Sequence, residues 1–89
     1  MHKLKYWTEV TKGLYRYVIG ANCCYEIHIM FWDHGTDILS ANCKLYIVAD
    51  WRTHDGFQSY FEREELLTGP LCACLAAAVE DNKENNEWR

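Results

Sequence analysis

Two adjacent cysteines, Cys23 and Cys24, stand five and four residues ahead of His28, and His34 follows just beyond Trp32 and Asp33. Thiolate and imidazole are the ordinary ligands of zinc and the ordinary partners in thiol catalysis. The spacing, however, suits neither. Structural zinc sites use C-x2-4-C or H-x3-5-H spacing, with a tight turn bringing the ligands round. If the segment is a strand, Cys23 and Cys24 point to opposite faces. Cys24, Glu26 and His28 then share a face, but Cys24 and His28 lie about 13 Å apart along it, too far for shared ligation. In "CAC", Cys72 and Cys74 on a helix point about 200° apart and form neither a chelate nor a disulfide. Cys74 is expected in the core and Cys72 at its margin. No metal and no cofactor are expected.

Nucleophilic catalysis lacks its third member. Cys24 pairs in principle with His28 or His54, but no signature places an orienting group or an oxyanion donor beside them. Asp33, Asp37, Asp50 and Asp55 fall in or beside turns, where short acids cap backbone amides. A phosphate-binding glycine loop is absent. The sequence therefore points away from an enzyme.

The elements that must hold these residues are written in the alternation. Tyr15, Tyr17 and Ile19, then Tyr25, Ile27, Ile29 and Phe31, then Leu39, Ala41, Cys43, Leu45, Ile47, Ala49 and Trp51, then Phe57 and Phe61 all occupy odd positions. Period two means strands with one buried face. Odd-length loops or bulges keep that parity from strand to strand. Gly20-Ala21-Asn22 would set Tyr17 against Tyr25 and Tyr15 against Ile27. Residues 33–37 would form the next loop, and a turn at Thr53-His54-Asp55 would set Trp51 against Phe57 and Ile47 against Phe61. An earlier strand near Tyr6 to Val10, turning at Lys12-Gly13, completes the sheet. "ANCCYEIHI" and "ANCKLYIVA", twenty positions apart, echo one another as two strand beginnings with similar burial.

The period then changes. Thr68 or Gly69 serves as N-cap, Pro70 as first helical residue, and Leu71, Leu75, Ala78 and Val79 as one apolar stripe, predicting a helix from Pro70 to about Asn82. The expected class is α+β: an antiparallel meander of about five strands with one C-terminal helix packed on one face. Residues 1–83 form a single domain and 84–89 a polar, frayed tail.

A chain of 89 residues with 49% apolar and 15% aromatic residues is globular. Net charge is −4, which disfavours nucleic-acid phosphate and anionic lipid as partners. Five cysteines, an odd number, fit a reducing compartment. The N-terminus lacks the apolar core of a secretion signal, and no apolar run approaches the ~20 residues of a membrane span. A soluble cytoplasmic protein is expected, with Glu62, Glu64, Glu65, Glu80, Asp81, Glu84 and Glu87 forming a solvated acidic region.

The even face is where function is expected. Leu14, Arg16 and Val18; Cys24, Glu26, His28, Met30 and Trp32; Lys44, Tyr46, Val48, Asp50 and Arg52; and Gln58, Tyr60, Glu62 and Glu64 mix aromatic, apolar and charged side chains as an interface does. One reading has another protein docking there, with Met30, Trp32, Tyr46 and Tyr60 as anchors and Arg16, Lys44, Arg52, Glu62 and Glu64 as the polar rim. A homodimer through two such faces belongs with it. A second has the aromatics stacking single-stranded RNA or DNA, against which the net acidity counts. A third has the termini covering the face as a second small core, leaving a structural domain without a ligand.

No motif is specific enough to carry a family resemblance. The general profile, a small acidic domain with one open face and a polar tail, is that of short phage or mobile-element proteins that block a host enzyme by occupying its surface. Inhibitors of nucleic-acid-guided nucleases, anti-CRISPR proteins, share that profile. In that reading the partner carries a basic nucleic-acid-binding surface, and the carboxylates compete for its Arg and Lys side chains.

Overall fold

Side chains that alternate with one parity over several strands can share a core only if consecutive strands pair antiparallel in matched register, and the chain does this. The computed structural model describes residues 3–19, 23–48 and 63–85. A 3-10 turn, Leu4–Tyr6, precedes β1 (Thr8–Thr11), β2 (Leu14–Val18), β3 (Cys24–Phe31), β4 (Asn42–Val48) and β5 (Arg63–Pro70), and α1 (Leu71–Asn85) follows without a loop. The strands lie in the order β1-β2-β3-β4-β5, every neighbour antiparallel. Gly13, at φ +82°, makes the β1–β2 turn beside Lys12, a conformation that would strain any residue with a Cβ.

Register matches expectation through the centre of the sheet. Tyr17 faces Tyr25 and Tyr15 faces Ile27, and β4 continues the rows with Ile47 opposite Tyr25 and Leu45 opposite Ile27. The two echoing segments are thus partly adjacent strands of one ladder. Tyr25, Ile27, Cys43, Leu45 and Ile47, with Trp7 and Ala41, form one core with Leu71, Cys74, Leu75 and Ala78 of α1. The hydroxyl of Tyr25 donates to Asp81 of α1 at 2.5 Å, and the amide of Leu71 donates to the Ala41 carbonyl at 2.8 Å. The second bond satisfies one of the amides a helix start leaves open.

Four expectations are corrected. The β3–β4 connection does not lead into a strand at Leu39. Asp33 accepts from the Gly35 amide and Asp37 from the Leu39 amide, both at 3.0 Å, and the second bond starts a 3-10 turn over Ile38–Ser40. That turn sends Ile38 against the core and leaves Leu39 exposed.

A register shift between Ile29 and Phe31 then inverts the end of β3. An extra residue in one strand reverses the phase after it. Phe31, expected in the core, is exposed, whereas Trp32, expected on the other face, packs against the core.

The last strand pairs further along the chain than expected. Glu64 lies opposite Ile47 and Arg63 opposite Val48, where Phe61 was expected opposite Ile47. A second shift between Leu45 and Tyr46 sets Glu65 beside Tyr46 and Leu67 beside Leu45. Thr68, Gly69 and Pro70 belong to this strand, so the helix starts at Leu71 and runs to Asn85. Trp51 and Phe57 lie outside the described residues.

Finally, the even face is not open at its centre, because Cys24, Glu26 and Val48 are buried there. Among the described residues no helix is long and apolar enough to cross a membrane.

Candidate interaction site

Glu26 sits in the middle of β3 at 1% exposure. A carboxylate so placed survives only with charged or hydrogen-bonding partners, and three neighbours supply them. Arg16, opposite it on β2, donates through Nη2 at 2.9 Å and through Nε at 3.3 Å to Oε2. Arg63 of β5 donates to Oε1 at 3.0 Å, and His28 Nε2 lies 3.2 Å from the same oxygen. Tyr46, opposite Glu26 on β4, places its ring 5.2 Å from the Arg63 guanidinium and 4.8 Å from the His28 ring. Burial alone would raise the Glu26 pKa and is the largest influence. The hydrogen bonds from His28 and Arg16, with the charges of Arg63 and Arg16, outweigh it and hold the carboxyl below its ordinary value. A carboxylate kept ionised with both oxygens engaged is a poor proton acceptor. This cluster joins β2, β3 and β5 through one charge.

The same surroundings silence the neighbouring thiol. Burial, then the Glu26 charge, pushes Cys24 up to about 12 against a partial offset from Arg16. Burial does the same to Cys43, to about 12, and Cys74, to about 11. Cys74 is in the core and Cys72 exposed, as the helix spacing requires. At pH 8 a thiol reagent such as Ellman's should therefore titrate Cys72 quickly and half-buried Cys23 more slowly. The other three should react only after unfolding in guanidinium. Native reaction of Cys24, Cys43 or Cys74 at the rate of Cys72 would contradict their burial. Among the described residues no three His, Cys, Asp or Glu side chains converge as metal ligands.

Among the described residues, the expected docking residues divide between the strands around Glu26 and the end of β3. Arg16 and Tyr46 are drawn into the Glu26 cluster. Lys44 lies 3.5 Å from Glu65 at the surface, a pair worth little once screened. Glu64 is exposed on the strand opposite Ile47. Tyr60, Arg52 and Glu62 lie outside the described residues. Met30 is exposed, and Trp32 has crossed to the helix side of the sheet.

Around these last two a different site appears. A hollow of about 320 Å³ opens where the β1–β2 turn meets the end of β3. Ile29 and Ile38 give it apolar lining, and Tyr15, Trp32 and His34 give it aromatic lining. The Trp32 and His34 rings are 4.2 Å apart and tilted by 48°, and the Trp32 indole donates to the Thr36 carbonyl at 3.3 Å. Glu9 and Lys12 bring opposite charges to the hollow. Burial first, then the charge and hydrogen bonding of Glu9, raises the Tyr15 phenol above its usual 10.0. Met30, 57% exposed, and Phe31, 68% exposed, line it too and stand out to solvent.

Phe31, His34, Tyr15, Glu9 and Lys12 were not foreseen at a site. One signal for Phe31 was present: three large apolar residues in a row, Met30-Phe31-Trp32, cannot all obey a two-residue period, so the strand must change phase there. Compared with protein-family models, with curated proteins and with solved structures, the chain gives no match.

Proposed function

We propose that this chain is a small non-enzymatic module that binds another protein through the outer end of β3. The observation that carries this reading is the pair Met30 and Phe31, large apolar side chains more than half exposed next to an aromatic hollow. Exposed Met, Phe and Trp clusters beside a hollow are what anchors of protein interfaces look like before the partner arrives.

In its more specific form, the partner is a nucleic-acid-handling enzyme with a basic surface, met in the cytoplasm and blocked in the manner of phage or mobile-element inhibitors. Net charge −4 and the exposed carboxylates of Glu64, Glu65 and Glu80 support a basic partner. The same charge disfavours a single nucleic-acid strand, although the rings of the hollow would suit base stacking.

The test is capture from extracts of the cells that encode the chain, using the wild type and a Met30→Ser/Phe31→Ser double variant. One protein retained stoichiometrically by the wild type and lost by the variant is expected. Both side chains are exposed, so the variant should melt within about 2 °C of the wild type. A partner held equally by both forms would remove the β3 end from the interface. Light scattering that shows a wild-type dimer, dissociated by the double variant, would turn the surface into a homodimer contact.

A further inference from the structure

We propose that the hollow beside Tyr15 and Trp32 seats a guanidinium group, an arginine side chain presented by the protein partner, with the Glu9 carboxylate as its counter-charge. This rests on the protein-binding reading and names the chemistry of its partner. Aromatic faces attract cations, and the planar guanidinium stacks on rings better than an ammonium does. Tyr15, Trp32 and His34 supply the rings, while Ile29 and Ile38 offer apolar surface for the alkyl stem.

Glu9 supplies the charge. It is exposed on β1, the edge strand, and no basic side chain among the described residues lies within 4.0 Å of it. By contrast, the Glu26 carboxylate already has Arg16, Arg63 and His28. Lys12 lines the same hollow, and its ammonium opposes a cationic guest. That opposition gives the proposal a sign to test. Removing Lys12 must help an arginine and harm an anion.

The experiment is a titration of the full chain, followed by the Trp32 indole and Gly13 amide resonances, with N-acetyl-arginine methylamide. N-acetyl-phenylalanine methylamide and adenosine monophosphate are titrated in parallel. Saturable shifts with the arginine amide are expected, about fivefold weaker in Glu9→Gln and stronger in Lys12→Met. Both positions are exposed, and unchanged melting checks that the variants fold. Tighter binding of the nucleotide, lost in Lys12→Met, would assign the hollow to nucleic acid instead. Equal binding of the phenylalanine amide, indifferent to Glu9→Gln, would make it a plain apolar pocket. No saturable shift with any probe would end the idea of a site. If capture succeeds through Met30 and Phe31 while the arginine amide fails to bind, this inference falls and the protein-binding reading stands. If the amide binds and no protein is captured, the hollow takes a guanidinium, but the claim that a protein partner presents it falls with the protein-binding reading.

Discussion

Glu26→Gln is expected to destabilise the protein by about 3 kcal/mol, near the lower end of what breaking a buried ion pair costs. Glutamine keeps the shape of the side chain but removes the charge that faces two guanidinium groups. Its amide nitrogen also presents hydrogens to at least one of them, where the carboxylate presented a lone pair. The lower end applies because the Arg16 and Arg63 side chains remain 24% and 13% exposed, so water compensates in part. In a domain of this size such a loss lowers the melting temperature by ~15 °C. A second consequence is in the pH profile. Because the folded-state pKa of Glu26 lies below the ordinary 4.5, its contribution is fully present above that value. It disappears as pH falls from there through the lowered folded value. Wild type and variant should therefore converge in stability under acid and differ most near neutrality. A variant within 1 kcal/mol of the wild type at pH 7, measured by urea unfolding, would mean that water or other groups already neutralise the arginines.

Leu45→Ala should cost about 3 kcal/mol and Leu39→Ala no more than about 0.5 kcal/mol. Both leucines hold odd positions in what reads as one strand. Leu45 is fully buried on β4, between Ile27 of β3 and Leu67 of β5, in the core shared with Leu71 and Leu75 of the helix. Truncation there leaves a cavity that a sheet paired on both sides closes poorly. Leu39, 40% exposed, lies in the 3-10 turn set by Asp37. Urea unfolding of the two variants side by side separates the structure from a strict alternation, which would give them similar costs.

That pair of leucines also marks how far the sequence could be read. Alternation identified which side chains of β2, β3 and the middle of β4 enter the core shared with the helix, because Tyr15, Tyr17, Tyr25, Ile27, Cys43, Leu45 and Ile47 keep one period. The stripe of Leu71, Leu75 and Ala78 identified the helix for the same reason. Bulges have no comparable signature. One added residue reverses everything beyond it, so Phe31 went outward, Trp32 inward, and the pairing of β5 with β4 changed phase at Tyr46. The aromatic residues 51–61 outweighed Leu66 and Leu67 in the expected register, although β5 pairs through the latter. Glu26 reads as exterior in the sequence because a glutamate has no local sign of burial. Among the described residues, His28 and, from ten and thirty-seven positions away, Arg16 and Arg63 make its burial tolerable. The place of the candidate site follows from these same effects. A buried salt-bridge cluster closed the centre of the even face, and a bulge built a hollow at the end of the odd one.

Binding through the outer end of β3 is decided by the dissociation constant of the captured partner, measured against the wild type and against the Met30→Ser/Phe31→Ser variant under one buffer and salt. At least about tenfold weaker binding by the variant is expected, the loss of one anchor's worth of contact, with folding unchanged. Equal constants for the two proteins would contradict it, since the exposed end of β3 would then play no part in recognition.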